Sequence, residues 1–171
     1  MTNEFIDAYS DDQIYLTLIK DLVNDHPVEV AVPDSIKYSA FCRLWVSMAV
    51  GSIESMIKVW NTGDELWSDI ATYLNRKSNE NRIKDLKASF ERRGLNLDPE
   101  IYKDFLALKY IRNAYIHSDW SPSQRSYVVS RGFPGNMMQF NKEHLDRMQK
   151  VYIGLMNGLG MINALNATLR R

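Results

Sequence analysis

Asp98-Pro99-Glu100-Ile101-Tyr102-Lys103-Asp104-Phe105-Leu106-Ala107-Leu108-Lys109-Tyr110-Ile111-Arg112-Asn113-Ala114-Tyr115-Ile116-His117 is the stretch that decides the fold. It opens with a capping carboxylate, a proline at the first helical position and an acid after it. That order suits the free N–H groups and positive dipole end of a helix N-terminus. Ile101, Phe105, Leu108 and Ile111 then recur at threes and fours, the period of a helix with one face in a core. Past His117 the texture changes, with Pro122, Gly132, Pro134 and Gly135 spread through Ser118 to Asn141. A loop or small β-hairpin around Ser126-Tyr127-Val128-Val129 is expected there.

Reading outward toward the start, the same signals recur. Phe41, Leu44, Trp45, Met48, Ile53, Met56, Ile57 and Trp60 predict a long helix over about Ser35 to Trp60, stopped by Thr62-Gly63. Asp64 opens a shorter helix through Leu66, Trp67, Ile70 and Leu74, and Asn79 or Asn81 opens another that ends at Gly94. Before these, Ser10-Asp11-Asp12 caps a first helix running to about Asn24, and His26 to Pro33 is looped or extended between two prolines. Toward the end, Asn141 caps a last helix from about Lys142 to the terminus. Gly154 and Gly158 within it have the spacing of a close helix–helix contact, inside the chain or across a dimer. The expectation is one all-α domain over residues 1–171: an up-and-down bundle of about five to six helices, with the hairpin as an insert.

Composition sets limits on function. The 171 residues are 45% hydrophobic and 25% charged, as in an ordinary globular domain. Lys+Arg and Asp+Glu are both 21, so a polyanion has to be held by a local basic stripe rather than by net charge. The run from Arg76 to Arg93 offers one, with seven cations against three acids; Arg82, Lys84 and Lys87 are its candidate RNA contacts, although such runs are usually only solvated faces. Cys42 is the only cysteine, which excludes an intrachain disulfide and a multi-cysteine zinc site. His26, His117 and His144 are too scattered for a metal site, and no cofactor motif is present. Met1-Thr2-Asn3-Glu4 is acidic and leads to no apolar signal core, and no uninterrupted apolar run approaches a membrane span. A soluble, cytoplasmic protein is the default expectation.

The end of the deciding helix carries the chemistry. Cutting RNA without a metal needs a base for the 2′-OH proton, an acid for the departing 5′-oxygen, and positive charge on the phosphate. Histidine suits the proton transfers because its ordinary pKa, about 6.5, lies near working pH. Arginine stays charged, and its fork of donors matches phosphate oxygens. Arg112 and His117 supply both residue types, with polar Asn113 after the arginine. Five residues turn an ideal helix by about 140°, so the two side chains do not share a face, whereas Lys109, Asn113 and His117 do.

Leu108-Lys109-Tyr110-Ile111-Arg112-Asn113-Ala114-Tyr115-Ile116-His117 resembles the signature of the HEPN superfamily, in which arginine, a polar residue and three mostly apolar residues precede histidine. Ser52-Ile53-Glu54-Ser55-Met56-Ile57-Lys58 is similar to the earlier family helix whose glutamate approaches that pair. The resemblance implies a metal-independent endoribonuclease or RNA-binding protein acting as a homodimer. Arg112, Asn113 and His117 of both chains would line a shared cleft, with Glu54 as the orienting acid and Lys109 beside them as an RNA contact. It further implies a toxin, anti-phage or stress-response role, with an antitoxin or other protein as partner. The competing reading is a non-catalytic HEPN-like module that binds a protein or a nucleotide. One departure stands out: Asp119 occupies the position where toxins of this type paired with a nucleotidyltransferase carry a modifiable tyrosine. Asp119 also sets a negative charge near the phosphate site. Trp45, Trp60, Trp67 and Trp120 all read as core or interface aromatics; Trp120, just past the motif, is the one with base stacking as a less favoured alternative.

Overall fold

Capping residues and glycine stops divide the chain into six helices among the described residues: α1 (Asp34–Asn61), α2 (Ser68–Asn75), α3 (Asn79–Arg92), α4 (Pro99–His117), α5 (Pro122–Ser130) and α6 (Lys142–Leu169). This computed structural model describes residues 33–61 and 68–169. The expected helix over Ser10–Asn24, nearly all of His26–Pro33, the Thr62-Gly63 stop and the Asp64 cap lie outside them.

Each well-signalled end has a visible cause. The Asp98 side chain accepts from the Glu100 N–H at 3.0 Å, with Pro99 opening α4. Ser78, not an asparagine, caps α3 by accepting from the Asn81 N–H. At its far end Gly94 sits at φ +71°, and the N–H groups of Gly94 and Leu95 return to the carbonyls of Glu91 and Phe90. This 5→2 and 6→1 pair needs a left-handed residue, which glycine adopts without strain. Asn141 caps α6 by accepting from the His144 N–H, while His144 Nδ1 accepts from the Asn141 N–H, each at 3.1 Å. His144 is therefore a capping residue wedged against Phe133 and Phe140.

The expected hairpin is absent. Ser126 to Val129 lies inside α5, and no strand occurs among the described residues. Ser121-Pro122 repeats the cap-plus-proline signal of Asp98-Pro99, with the Ser121 hydroxyl accepting from the Gln124 N–H. Val128 buries completely, so two adjacent valines serve a short helix as well as a strand.

α1, α4 and α6 form the centre of the bundle, and α3 and α5 pack against α4. α1 packs on α6: the Cys42 thiol meets the Asn141 carbonyl, and Trp45 packs edge-on against Tyr152 at 5.6 Å. α4 runs antiparallel to α6, with Asp104 beside Arg147 and Ile101 beside Gly154. The two spaced glycines make their close contact within the chain. A Cβ on Gly154 would stand 2.7 Å from Ile101 Cδ1, and one on Gly158 would stand 2.8 Å from Phe90 Cε2. Among the described residues α1 is the helix long and apolar enough to cross a membrane; more than half of that stretch is buried in the bundle.

Two acid-centred clusters, one on the buried Asp104 and one on the partly exposed Asp69, lock the outer helices. Asp104 of α4 receives Arg131 after α5 and Arg147 of α6, each through two nitrogens at 2.7–2.9 Å. Asp69 of α2 receives Arg93 through two nitrogens, and also Arg92 and the Ser89 hydroxyl, all at 2.8 Å. Burial pushes the Asp69 carboxyl up, but these donors outweigh it and hold it well below the usual carboxylate range. A carboxyl depressed in the folded state stabilises fully above its unfolded pKa, and that contribution is lost as pH falls through the folded value. Wild-type melting temperature should therefore drop more steeply than that of Asp69→Asn between pH 5 and pH 2. Parallel pH profiles for the two proteins would show that Asp69 is not a source of acid lability.

Candidate functional site

α4 carries its side chains out of the core and into solvent along its own length. Tyr102 and the run Asp104 to Ile111 are buried, Arg112 and Asn113 are half-buried, and Tyr115, Ile116 and His117 are exposed. The helix ends at Ser118 in the left-handed region, φ 53°. The break expected after the motif is thus present, and the last turn stands clear of the bundle centre.

Glu54 is the hub. It lies on α1 between the buried Ile53 and Met56, so its carboxylate enters the bundle beside α2, α3 and α4. Oε1 accepts from Lys109 Nζ and, at 3.4 Å, from the Tyr73 hydroxyl, which also accepts from Lys109 Nζ at 3.1 Å. Oε2 accepts from Arg112 Nη2 at 3.0 Å. Arg82 of α3 places Nη1 4.0 Å from Oε1, and its Nε donates to the Arg76 carbonyl. Arg112 Nη1 donates to Asn113 Oδ1 at 2.8 Å, and its buried Nε has no partner. Burial draws the Lys109 ammonium below the ordinary lysine range against the upward pull of Glu54. Burial also raises the Tyr73 phenol, and Glu54 adds to the effect. The phenol therefore stays protonated and serves as a fixed donor.

The residues singled out from the sequence do not all meet. Glu54, Arg112, Asn113, Arg82 and Lys109 form one cluster. Lys109, read as an RNA contact, is only 3% exposed and spent on Glu54 and Tyr73, because this turn of α4 still lies in the core. His117 makes no hydrogen bond or ion pair among the described residues and does not touch Arg112, in keeping with their angular separation. The expected basic stripe is broken up. Arg92 and Arg93 hold Asp69, Arg76 holds Asp85, and Arg82 turns toward Glu54. Lys84 and Lys87 line a separate groove of about 260 Å³ with Lys103, over Ile83 and Leu106.

Sequence reasoning missed Tyr73. The signal was available: Ile70, Tyr73 and Leu74 share a helix face, and a tyrosine on a core face needs a partner for its hydroxyl. Among the described residues no group of three or more histidine, cysteine or acidic side chains is arranged to hold a metal ion. Comparison with models of known protein families, with curated proteins and with solved structures finds no match.

Proposed function

We propose that this chain is a metal-independent, HEPN-like endoribonuclease that works as a homodimer. Arg112 clamps the scissile phosphate, His117 moves protons, and Asn113 and Glu54 orient the arginine. The observation that carries the reading is the seating of Arg112. Glu54 and Asn113 each take one terminal nitrogen, fixing the guanidinium plane while it stays partly open to solvent. Two partly exposed arginines, Arg112 and Arg82, and the buried Lys109 surround one carboxylate, so the cluster carries a local excess of positive charge.

In this scheme a histidine removes the 2′-OH proton, the 2′-oxygen attacks phosphorus, and the 5′-oxygen leaves with a proton from a second histidine. The product carries a 2′,3′-cyclic phosphate. A 2′-OH is indispensable, so RNA is the substrate and DNA is not. A toxin, anti-phage or stress-response role in the cytoplasm, with an antitoxin or other protein as the restraining partner, follows from the same resemblance.

The test is digestion of mixed cellular RNA in EDTA, comparing wild type with Arg112→Ala/His117→Ala. Cleavage by wild type alone, leaving cyclic phosphate ends, is expected. A folded wild-type dimer that leaves RNA intact would overturn the nuclease reading. It would favour the second one, a non-catalytic module binding a protein or nucleotide, which the Glu54–Arg112 ion pair serves equally well as an internal brace.

A further inference from the structure

Beside the last turn of α4 lies an open depression of about 380 Å³, lined by Ala114, Tyr115, Ser118, Asp119, Trp120 and Met137. Its walls are mainly apolar and aromatic, and it begins within two residues of His117 on either side. Asp119 is exposed and forms no ion pair or hydrogen bond among the described residues, so its carboxylate is free. Trp120 is partly buried against the core, and its indole N–H is shielded from solvent with no acceptor among the described residues. An exposed carboxylate in a depression walled by the Tyr115 and Trp120 rings is a poor place for a phosphate. It is a good place for a base.

We infer that this depression binds an unstacked guanine of the RNA strand next to the cleaved bond, with Asp119 as the specificity-determining residue. The inference rests on the nuclease reading for its substrate. Single-stranded RNA is read by splaying bases onto aromatic side chains and bonding their Watson–Crick edges. An ionised carboxylate only accepts, with two oxygens side by side. Guanine is the base that faces it with two adjacent donors, N1–H and the N2 amine. Adenine, cytosine and uracil each present a single donor group on that edge, next to an acceptor that the carboxylate repels. Asp119, which sits awkwardly as a neighbour of a phosphate site, is well placed as a reader of the base beside it.

Two measurements decide the matter. The first compares cleavage of labelled single-stranded RNAs in which one guanosine is kept, or replaced by inosine, adenosine, cytidine or uridine. Wild type should prefer guanosine over inosine, which lacks the N2 amine, by at least about tenfold, and Asp119→Asn should lose that preference. The second measures binding of the same RNAs to His117→Ala by fluorescence anisotropy, with and without Asp119→Asn. Tyr115→Phe, which keeps the ring, should leave guanosine binding largely intact, whereas Tyr115→Ala should weaken it. Cleavage with no base preference, or with a preference indifferent to Asp119→Asn, overturns the inference and leaves the nuclease reading standing. Asp119-dependent guanosine binding without cleavage by wild type sustains the inference and sinks the nuclease. Binding and cleavage both absent sink both.

Discussion

His117→Ala is expected to cut RNA about 10²–10⁴-fold more slowly than wild type, the usual contribution of a positioned general acid or base. Its melting temperature should stay close to that of wild type. The two halves of this expectation come from different observations. The loss follows from the chemistry asked of the histidine. The unchanged fold follows from its position: His117 is exposed at the end of α4, with no hydrogen bond or ion pair among the described residues, so its truncation opens no cavity and strands no charge. Substitutions at such surface sites usually change stability by about 0.5 kcal/mol or less. Wild-type cleavage by the mutant would remove His117 from the mechanism. A large drop in melting temperature would instead assign it a structural contact beyond those among the described residues.

Much of the architecture was legible because it rests on local chemistry. The Asp98-Pro99 start, the Gly94 stop and the Asn141 cap each depend on a few adjacent residues, and each appears where the sequence places it. The hairpin failed for an instructive reason. Val128-Val129 suits a strand, but the stronger signal lies upstream, where Ser121-Pro122 supplies a cap and a first-turn proline that start a helix. Pairing partners were less legible than elements. That Glu54 approaches Arg112 was expected from resemblance, but that it also takes Lys109 and Tyr73 depends on how α1, α2 and α4 cross. Charge counting along Arg76 to Arg93 could not show that Arg92 and Arg93 are committed to Asp69, which lies on another helix, or that Arg76 reaches across the turn to Asp85.

Glu54→Ala is expected to cost about 3–5 kcal/mol of folding stability, the range seen when one partner of a buried ion pair is removed. Lys109 is the reason. At 3% exposure it cannot reach water without opening the bundle, and burial already draws its ammonium below the ordinary range while Glu54 holds it up. Without Glu54 the amine either loses its proton or stays charged among Phe105, Tyr73 and the core, and both are costly. The double variant Glu54→Ala/Lys109→Met should recover most of the loss, since a methionine of similar length fills the space without a charge. Arg112 does not enter this balance in the same way, because its guanidinium is 25% exposed and keeps Asn113 as a partner. The recovered double variant therefore separates two roles that Glu54 combines. It should fold and yet cleave RNA poorly, because Arg112 has lost the carboxylate that fixed its plane. Folding together with full cleavage would show that Glu54 only neutralises Lys109. Failure to recover stability would show that Glu54 supports the bundle through Tyr73 and Arg82 as much as through the lysine.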